Sequence, residues 1–306
     1  MAVARQFLEY AAVRLLLSIV QILPLSACAR LAQGLAWFAA DVVRFRQRVV
    51  DENLRLTFPE ATPERRRDIA RQMWEHLVLM TCEIAQARRK IHETNYRKHI
   101  HVPQNQTIAR YVLEDRPTIL VSGHFGNFEI AAVMLGIVGC PSYAIARVMD
   151  NPWIESLIKS FRESSGQFIL PKDGSAVQIQ QVLAAGKTIM MLGDQHAGTK
   201  GVWVDFLGRP AACHKALALF TLSSGAPMMV TYCRRTTGPL QFEIDILGIA
   251  DPQLGLGELT DVRSLTQWYN DCLAQAIRAH PEQYWWVHRR WKDKPVRQKK
   301  PTASAA

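Results

Sequence analysis

The sequence contains no CxxC pair, no HExxH motif, no internal repeat and no Gly/Ser- or Pro-rich linker. Its six cysteines are never closer than 20 residues, which argues against a zinc site or a disulfide framework. We therefore predict buried free thiols in a reducing compartment and no bound metal. Because no such linker is present, we predict that the 306-residue chain is not divided into two separate domains at its middle.

Zinc-finger spacing, RNP-type signatures and basic-zipper patterns are also missing, so the positive charge does not indicate nucleic acid. The formal net charge is +10, and the excess lies at the two ends of the chain. Residues 1–100 carry 16 Lys/Arg and 10 Asp/Glu, residues 285–306 carry 7 and 1, and residues 101–284 carry 14 and 16. Such ends suit anionic partners: lipid headgroups, phosphorylated lipids or an acidic carrier protein.

The amino-terminal segment is strongly apolar but lacks a long uncharged run. Its longest run, residues 15–29, is interrupted by Pro24 and measures roughly 22 Å as a helix, against ~30 Å of bilayer hydrocarbon. Arg14, Ser18 and Gln21 share one helical face, which favours a helix lying on a membrane. We expect peripheral or shallow membrane attachment, with a single span and a plain core helix as alternatives, and no signal peptide.

We predict that residues 1–45 form apolar membrane-associating helices continuous with a domain over residues 46–295, followed by a disordered basic tail, 296–306. Residues 61–90 have the pattern of an amphipathic helix that Thr62 caps. The first half of this helix carries four arginines, which either form a solvated face or meet anionic lipid.

From residue 118 onward, short apolar runs alternate with helical patterns. This alternation predicts an α/β fold, an αβα sandwich on a mostly parallel central sheet, in which "LQFEIDIL" is an antiparallel or edge strand. His124, Arg147 and Asp194 follow three of the strands. Because ligands collect at the carboxyl ends of parallel strands, we expect these side chains to converge on one edge.

In "TILVSGHFGNFEI", His124 precedes a helix whose first turns contain Glu129. A carboxylate that accepts one ring N–H raises the basicity of the other ring nitrogen, which then deprotonates an alcohol. We expect Glu129 to be that carboxylate, and the backbone N–H groups of Gly126 and Asn127 to stabilise an oxyanion.

"HFGNFE" resembles the His-x4-Asp/Glu motif of the glycerolipid acyltransferase superfamily. Further segments resemble the lipid A biosynthesis late acyltransferases, in that family's order from about residue 10 to 295: "NLRLTFPE", "ERRR", "ARVMDNPWIE", "GDQHAGTKGVWVDFLGRPA" and "HPEQYWWVHRRWKDKP".

The resemblance implies an enzyme on the cytoplasmic face of the inner membrane. It implies transfer of a fatty acyl chain from acyl carrier protein to a hydroxyl of a lipid A precursor, with no cofactor beyond the acyl thioester. His124 would be the general base and Glu129 its partner. Matching motifs make Arg147, Asp194, Arg289 and Arg290 candidates for substrate binding, and Gln195 stands beside Asp194 as a further one.

Three alternatives remain open from the residues. One keeps the chemistry but uses a phospholipid or a mannosylated inositol lipid as acceptor and acyl-CoA as donor. The others are a non-catalytic lipid-binding protein and a metal-dependent hydrolase.

Overall fold

The computed structural model describes residues 2–114, 116–171 and 174–292. The predicted basic tail, 296–306, lies outside them. The helices are α1 (Ala2–Ile22), α2 (Leu25–Trp37), α3 (Gln47–Thr57), α4 (Pro63–Lys90), α5 (Asn105–Leu113), α6 (Phe128–Ile137), α7 (Pro152–Glu163), α8 (Ser175–Ala184), α9 (Ala216–Ser224) and α10 (Val262–Ala279). The strands are β1 (Ile100–His101), β2 (Thr118–Ser122), β3 (Ser142–Ala146), β4 (Gln167–Pro171), β5 (Thr188–Leu192), β6 (Val202–Phe206), β7 (Arg209–Cys213), β8 (Met228–Arg235) and β9 (Phe242–Ala250).

Seven strands form the central sheet, in the order β1-β9-β8-β2-β5-β3-β4. Strands β8, β2, β5, β3 and β4 run parallel, whereas β9 is antiparallel to β8. The predicted α/β class with a mostly parallel sheet is therefore confirmed, as is the antiparallel strand at "LQFEIDIL". The sequence did not indicate β1 or the separate antiparallel hairpin of β6 and β7.

Both faces of the sheet are covered by helices, because its central strands are apolar on both sides. Ile119 and Val121 of β2 enter the main core with residues of α8, α9 and α10. Leu120, between them, packs instead with Tyr111 of α5 and Ala132 of α6. Such continuous apolar strands are typical of parallel sheets buried on both faces, and they support the expected αβα layering.

The amino-terminal helices α1 and α2 pack against α4. Pro24 ends α1 and leaves backbone carbonyls of the last turn without helical partners. The side-chain amide of Gln86 on α4 donates to the carbonyls of Val20 and Leu23, at 2.8 and 3.0 Å, and so provides hydrogen-bond partners at this helix end. None of the described helices combines the length and the apolar character that a bilayer crossing requires.

Candidate active site at the ends of β2 and β5

His124 and Asp194 meet at the carboxyl edge of the sheet, as expected for residues that follow adjacent strands. Ser122 and Leu192 are paired in register at the ends of β2 and β5, and His124 and Asp194 each lie two positions further on. The Asp194 carboxylate accepts the backbone N–H of His124 at 2.9 Å and contacts ring Nδ1 at 2.8 Å. Both of its oxygens are thus engaged by one residue, which fixes the orientation of the imidazole.

The Asp194 contact also determines the histidine tautomer. A carboxylate accepts hydrogen bonds, so Nδ1 of His124 carries the proton and Nε2 presents a lone pair. The side-chain amide of Gln195 donates to Nε2 at 3.1 Å. Nε2 therefore keeps a lone pair whose resting partner is a neutral amide, and a hydroxyl in place of that amide could donate to it.

The surroundings of the imidazole are aromatic and mostly closed to water. The His124 ring lies 5.2 Å from the Phe128 ring and 4.9 Å from the Trp285 ring, centroid to centroid. The side chain of His124 is 14% exposed, and that of Asp194 only 2%. A reacting hydroxyl at Nε2 would thus enter an environment where hydrogen bonds and charges act more strongly than in water.

Asp194 stays ionised although it is buried. Burial raises the pKa of its carboxyl, but the His124 ring, its hydrogen bonds and the nearby Arg290 charge lower it, and the pKa ends below its usual value. Burial also lowers the pKa of His288 to about 4, which keeps this neighbouring ring neutral at pH 7. The fixed negative charge at the site is therefore Asp194, in position to stabilise a protonated His124.

The expected contact between Glu129 and His124 is wrong in its geometry. Glu129, in the first turn of α6, accepts two hydrogen bonds from Arg162 near the end of α7, at 2.5 and 3.2 Å. The carboxylate that binds the His124 ring is instead that of Asp194, which the sequence predicted as a substrate-binding residue. A catalytic role for His124 or Glu129 stays a prediction.

The two backbone donors expected to stabilise an oxyanion are already used within the fold. Gly126 N–H donates to the carbonyl of Gln283 at 2.9 Å, and Asn127 N–H to that of Cys233 at 2.6 Å. Gly126 has φ +61°, and a Cβ there would lie 1.9 Å from the Cys233 carbonyl oxygen, so only glycine fits. These contacts fasten the loop after β2 to Gln283 and to strand β8, and they leave neither N–H free for an oxyanion.

A C-terminal strap (residues 283–290) closes over the same loop. Besides the Gln283 carbonyl, Trp285 N–H donates to the His124 carbonyl at 3.1 Å. Asn53 of α3 donates to the carbonyls of Trp286 and His288, at 2.8 and 2.9 Å. The strap therefore fixes the backbone of His124 through Trp285 and is itself joined to α3 through Asn53.

A buried polar network supports the loop from α4. Glu83, which is fully buried, binds Arg235 through both oxygens at 2.7 and 2.5 Å and accepts from the Asn127 amide at 3.1 Å. His76 accepts from Arg235 at 2.8 Å and contacts the Gly126 carbonyl at 3.2 Å. Burial and the Arg235 charge lower the pKa of His76 to about 3, so the ring is neutral and donates to Gly126.

The predicted substrate-binding arginines do not share one environment. Arg290 is 1% exposed and donates to the Ala212 carbonyl and the Cys213 sulfur, at 2.9 and 2.7 Å, so it supports the site and does not face substrate. Arg289 is exposed. Arg147 is also exposed and forms an ion pair with Asp150 at 3.1 Å. Both can be reached by a substrate from solvent.

Sequence reasoning missed Glu83, His76 and Arg235 altogether. The one available signal was a glutamate within the apolar face of the helix at residues 61–90, where an unpaired carboxylate is unfavourable. Among the described residues, no three His, Cys, Asp or Glu side chains assemble into a metal-binding group.

A family model described as bacterial lipid A biosynthesis acyltransferase matches residues 2–293. The chain belongs to this family. The chain is 27% identical to the lipid A biosynthesis lauroyltransferase of Escherichia coli K12, over 95% of this chain and 93% of that protein. It is 24% identical to the palmitoleoyltransferase of the same organism, over 90% and 88%.

More distant similarity extends to a phosphatidylinositol mannoside acyltransferase of Mycobacterium tuberculosis, 24% identical over 56% of this chain and 54% of that protein. The crystal structure of the 1-acyl-sn-glycerophosphate acyltransferase PlsC from Thermotoga maritima aligns with 88% of this chain and all of its own, at 14% identity and a TM-score of 0.41. Membership of the lipid A acyltransferase family makes the chain an acyltransferase that acts on a lipid acceptor.

Proposed function

We propose that this lipid A acyltransferase family member moves a fatty acyl chain from the thioester of acyl carrier protein to a hydroxyl of a lipid A precursor. The observation that carries the proposal is the geometry of His124, whose Nδ1 is bound by buried Asp194 and whose Nε2 is a free base apart from an amide contact. The matched relatives that span nine-tenths of the chain are named for lipid A biosynthesis, which favours this acceptor over an inositol mannoside.

The proposed reaction begins when the acceptor hydroxyl replaces the Gln195 amide at Nε2 of His124. The ring takes the hydroxyl proton while the oxygen attacks the thioester carbonyl, and Asp194 stabilises the imidazolium that forms. As the carbon–sulfur bond breaks, the imidazolium returns the proton to the departing thiolate. The ester and the free carrier thiol are the products, and no further reactant is required.

An oxyanion donor has to be found outside the backbone groups of Gly126 and Asn127, because these are engaged. The Gln195 amide is released from Nε2 when the hydroxyl binds, and it remains beside the reacting atoms. We assign the oxyanion contact to this side chain, since a positioned amide donor in a dry site stabilises developing negative charge.

We also propose that the enzyme is attached to the cytoplasmic face of the inner membrane through α1 and α2 without crossing it. Large apolar side chains of α1 and α2 are exposed: Val3, Phe7, Leu8, Leu15, Leu16, Ile19, Ile22, Leu31, Leu35 and Trp37. An apolar surface of this extent supports burial in the outer part of a bilayer. The positive charge at both chain ends suits the anionic carrier protein and the phosphorylated acceptor.

The test is acyl transfer by the purified enzyme, with acyl carrier protein or acyl-CoA as donor and a lipid A precursor or phospholipid as acceptor. We expect His124→Ala to lower the rate of transfer to the lipid A precursor at least ~100-fold, the low end for loss of a general base. His101→Ala, at an exposed histidine of β1, is the control and keeps the wild-type rate. Transfer by His124→Ala at a rate close to that of the wild type would refute the mechanism.

A further inference from the structure

A second charged feature lies away from His124, on the amino-terminal side of the molecule. A cavity of about 700 Å³ opens between residues 40–47, α3 and the first half of α4. Asp41, Asp51, Phe45 and Trp74 contribute to its wall. Five arginines line the same cavity, against these two aspartates: Arg44, Arg55, Arg66, Arg67 and Arg71.

Most of this positive charge is not neutralised inside the protein. Arg71 binds Asp41 at 2.9–3.0 Å, and Arg66 donates to the Ala61 carbonyl. Within the described parts of the chain, the side chains of Arg44, Arg55 and Arg67 form no hydrogen bond or close ion pair, although Arg67 interacts electrostatically with Glu64 at the exposed start of α4. Three guanidinium groups lining one cavity repel each other, so an anion between them is favoured.

The backbone beside the cavity is held in an unfavourable conformation. Arg44 and Arg46 both have φ 54°, in the left-handed region that residues with a Cβ rarely adopt. Both lie within four residues of the end of a π-helical turn, Phe38–Val42. Strained residues and π-turns are concentrated at functional sites, where the fold maintains them for a purpose other than stability.

The surface around the cavity identifies the environment of the anion. Trp37, Phe38 and Phe45 are about half exposed, at 55%, 49% and 54%. Exposed aromatic rings of this kind favour the headgroup level of a bilayer, where lipid phosphates lie. The opposite face of α3 carries Asn53, which binds the C-terminal strap, so α3 separates this cavity from His124.

We propose that the cavity binds the phosphate group of an anionic membrane lipid. Guanidinium groups match phosphate oxygens in pairs, and the neighbouring aromatics and apolar helices hold the acyl chains of the same lipid layer. The site is distinct from the catalytic site, although the proposal rests on the membrane attachment proposed above. Its function is to fix the depth and orientation of the enzyme on the membrane.

The experiment is co-sedimentation of the full chain with three kinds of vesicle. One is pure phosphatidylcholine, one contains a minor fraction of phosphatidylglycerol, and one contains the same fraction of a sulfated glycolipid. The cavity variant is Arg55→Gln with Arg67→Gln; both side chains are exposed and neither is hydrogen-bonded to another described residue, so their loss strands no buried group. The matched control is Arg48→Gln with Arg65→Gln, exposed arginines on the same two helices that do not line the cavity.

We expect the cavity variant to bind phosphatidylglycerol vesicles at least about tenfold more weakly than the control variant, which has lost the same charge. Sulfated vesicles should also distinguish the two variants, because a sulfate ester presents the same paired oxygens, whereas phosphatidylcholine, which has no net charge, should not. Inorganic phosphate is added as a competitor. If it releases the control variant from phosphatidylglycerol vesicles but has no effect on the cavity variant, free phosphate is a second ligand of the same site.

Equal losses in the two variants would overturn the proposal and show that the arginines act only through net charge. Wild-type binding to phosphatidylcholine without any gain from phosphatidylglycerol would reject the phosphate site but leave the membrane attachment intact. Wild-type protein that sediments with none of the vesicles would reject both. Acyl transfer is measured separately, so a failure of the catalytic proposal is not confused with either result.

Discussion

Asp194 and Glu129 stand at the same edge of the sheet, and each binds a nitrogen-bearing side chain, yet their environments differ. The Asp194 side chain is 2% exposed and accepts from both the backbone and the ring of His124, with Tyr284 as a further partner. The Glu129 side chain is 16% exposed and is bound by Arg162. Their positions in the chain suggest the reverse arrangement, since Glu129 is five residues from His124 and Asp194 is seventy.

The difference follows from the register of the sheet. Neighbouring strands lie ~4.8 Å apart, so residues two positions beyond paired strand ends come side by side. Glu129 lies in the first turn of α6, and its side chain binds Arg162 of α7 rather than His124. Strand pairing, and not closeness in sequence, selects the carboxylate that orients the histidine.

The largest effect expected from this comparison is that of Asp194→Asn. The two carboxylate oxygens accept separately from the backbone N–H and Nδ1–H of His124, and an amide in the same position replaces one oxygen with an NH₂ group, so one contact is lost and the ring is less firmly held in one tautomer. We expect kcat to fall by ~10²–10⁴ with little change in KM. Steady-state kinetics measures this, and circular dichroism at rising temperature checks that the variant is folded. A fall of less than about threefold would be incompatible with an orienting role for Asp194.

The next effect concerns stability and compares two neighbouring ion pairs. Glu83→Gln leaves Arg235, 11% exposed, without its carboxylate in a buried network, and we expect the free energy of unfolding to drop by about 3 kcal/mol. Glu243→Gln removes the partner of the adjacent Arg234, where the pair is 24% and 16% exposed, and should cost about 1 kcal/mol or less. Denaturant unfolding of both variants provides the measurement. Equal losses would mean that burial does not distinguish these pairs.

A smaller effect is expected for Glu129→Gln. The glutamine keeps one hydrogen bond to Arg162 but loses the charge, and the His124–Asp194 contact is untouched, so transfer should slow by no more than about tenfold. If the pair only joins α6 to α7, the reversed pair Glu129→Arg with Arg162→Glu should recover part of the loss. A loss as large as that of Asp194→Asn, without recovery in the reversed pair, would give Glu129 a direct role in the reaction.

Much of the fold was readable from the sequence because its strands are short apolar runs between clear helical patterns. The strand ends also identified His124 and Asp194 as residues of one edge. Their pairing was not readable, because the order of strands in the sheet puts β5 next to β2 and this order is not encoded in local pattern. The same holds for Gly126 and Asn127, whose N–H groups are taken up by Gln283 and Cys233, more than 100 residues away.

The smallest effect is expected for Arg147→Gln, at the end of β3 on the same edge of the sheet. Arg147 and Asp150 are 80% and 92% exposed, so their ion pair contributes little and the free energy of unfolding should stay within about 0.5 kcal/mol of wild type. If Arg147 contacts the anionic acceptor, as its motif suggests, KM for that lipid rises severalfold while kcat is kept.

A rise in KM for Arg147→Gln could come from a lost substrate contact or from a local structural change. Asp150→Asn distinguishes the two, because it breaks the same ion pair but leaves the arginine in place. A substrate contact predicts that only Arg147→Gln raises KM, since Asp150→Asn frees the guanidinium for the lipid. A local structural role predicts the same change in both variants. With KM unchanged in both, the exposed end of β3 lies outside the acceptor site, and binding is left to Gln195, Arg289 and the enclosed surface around His124.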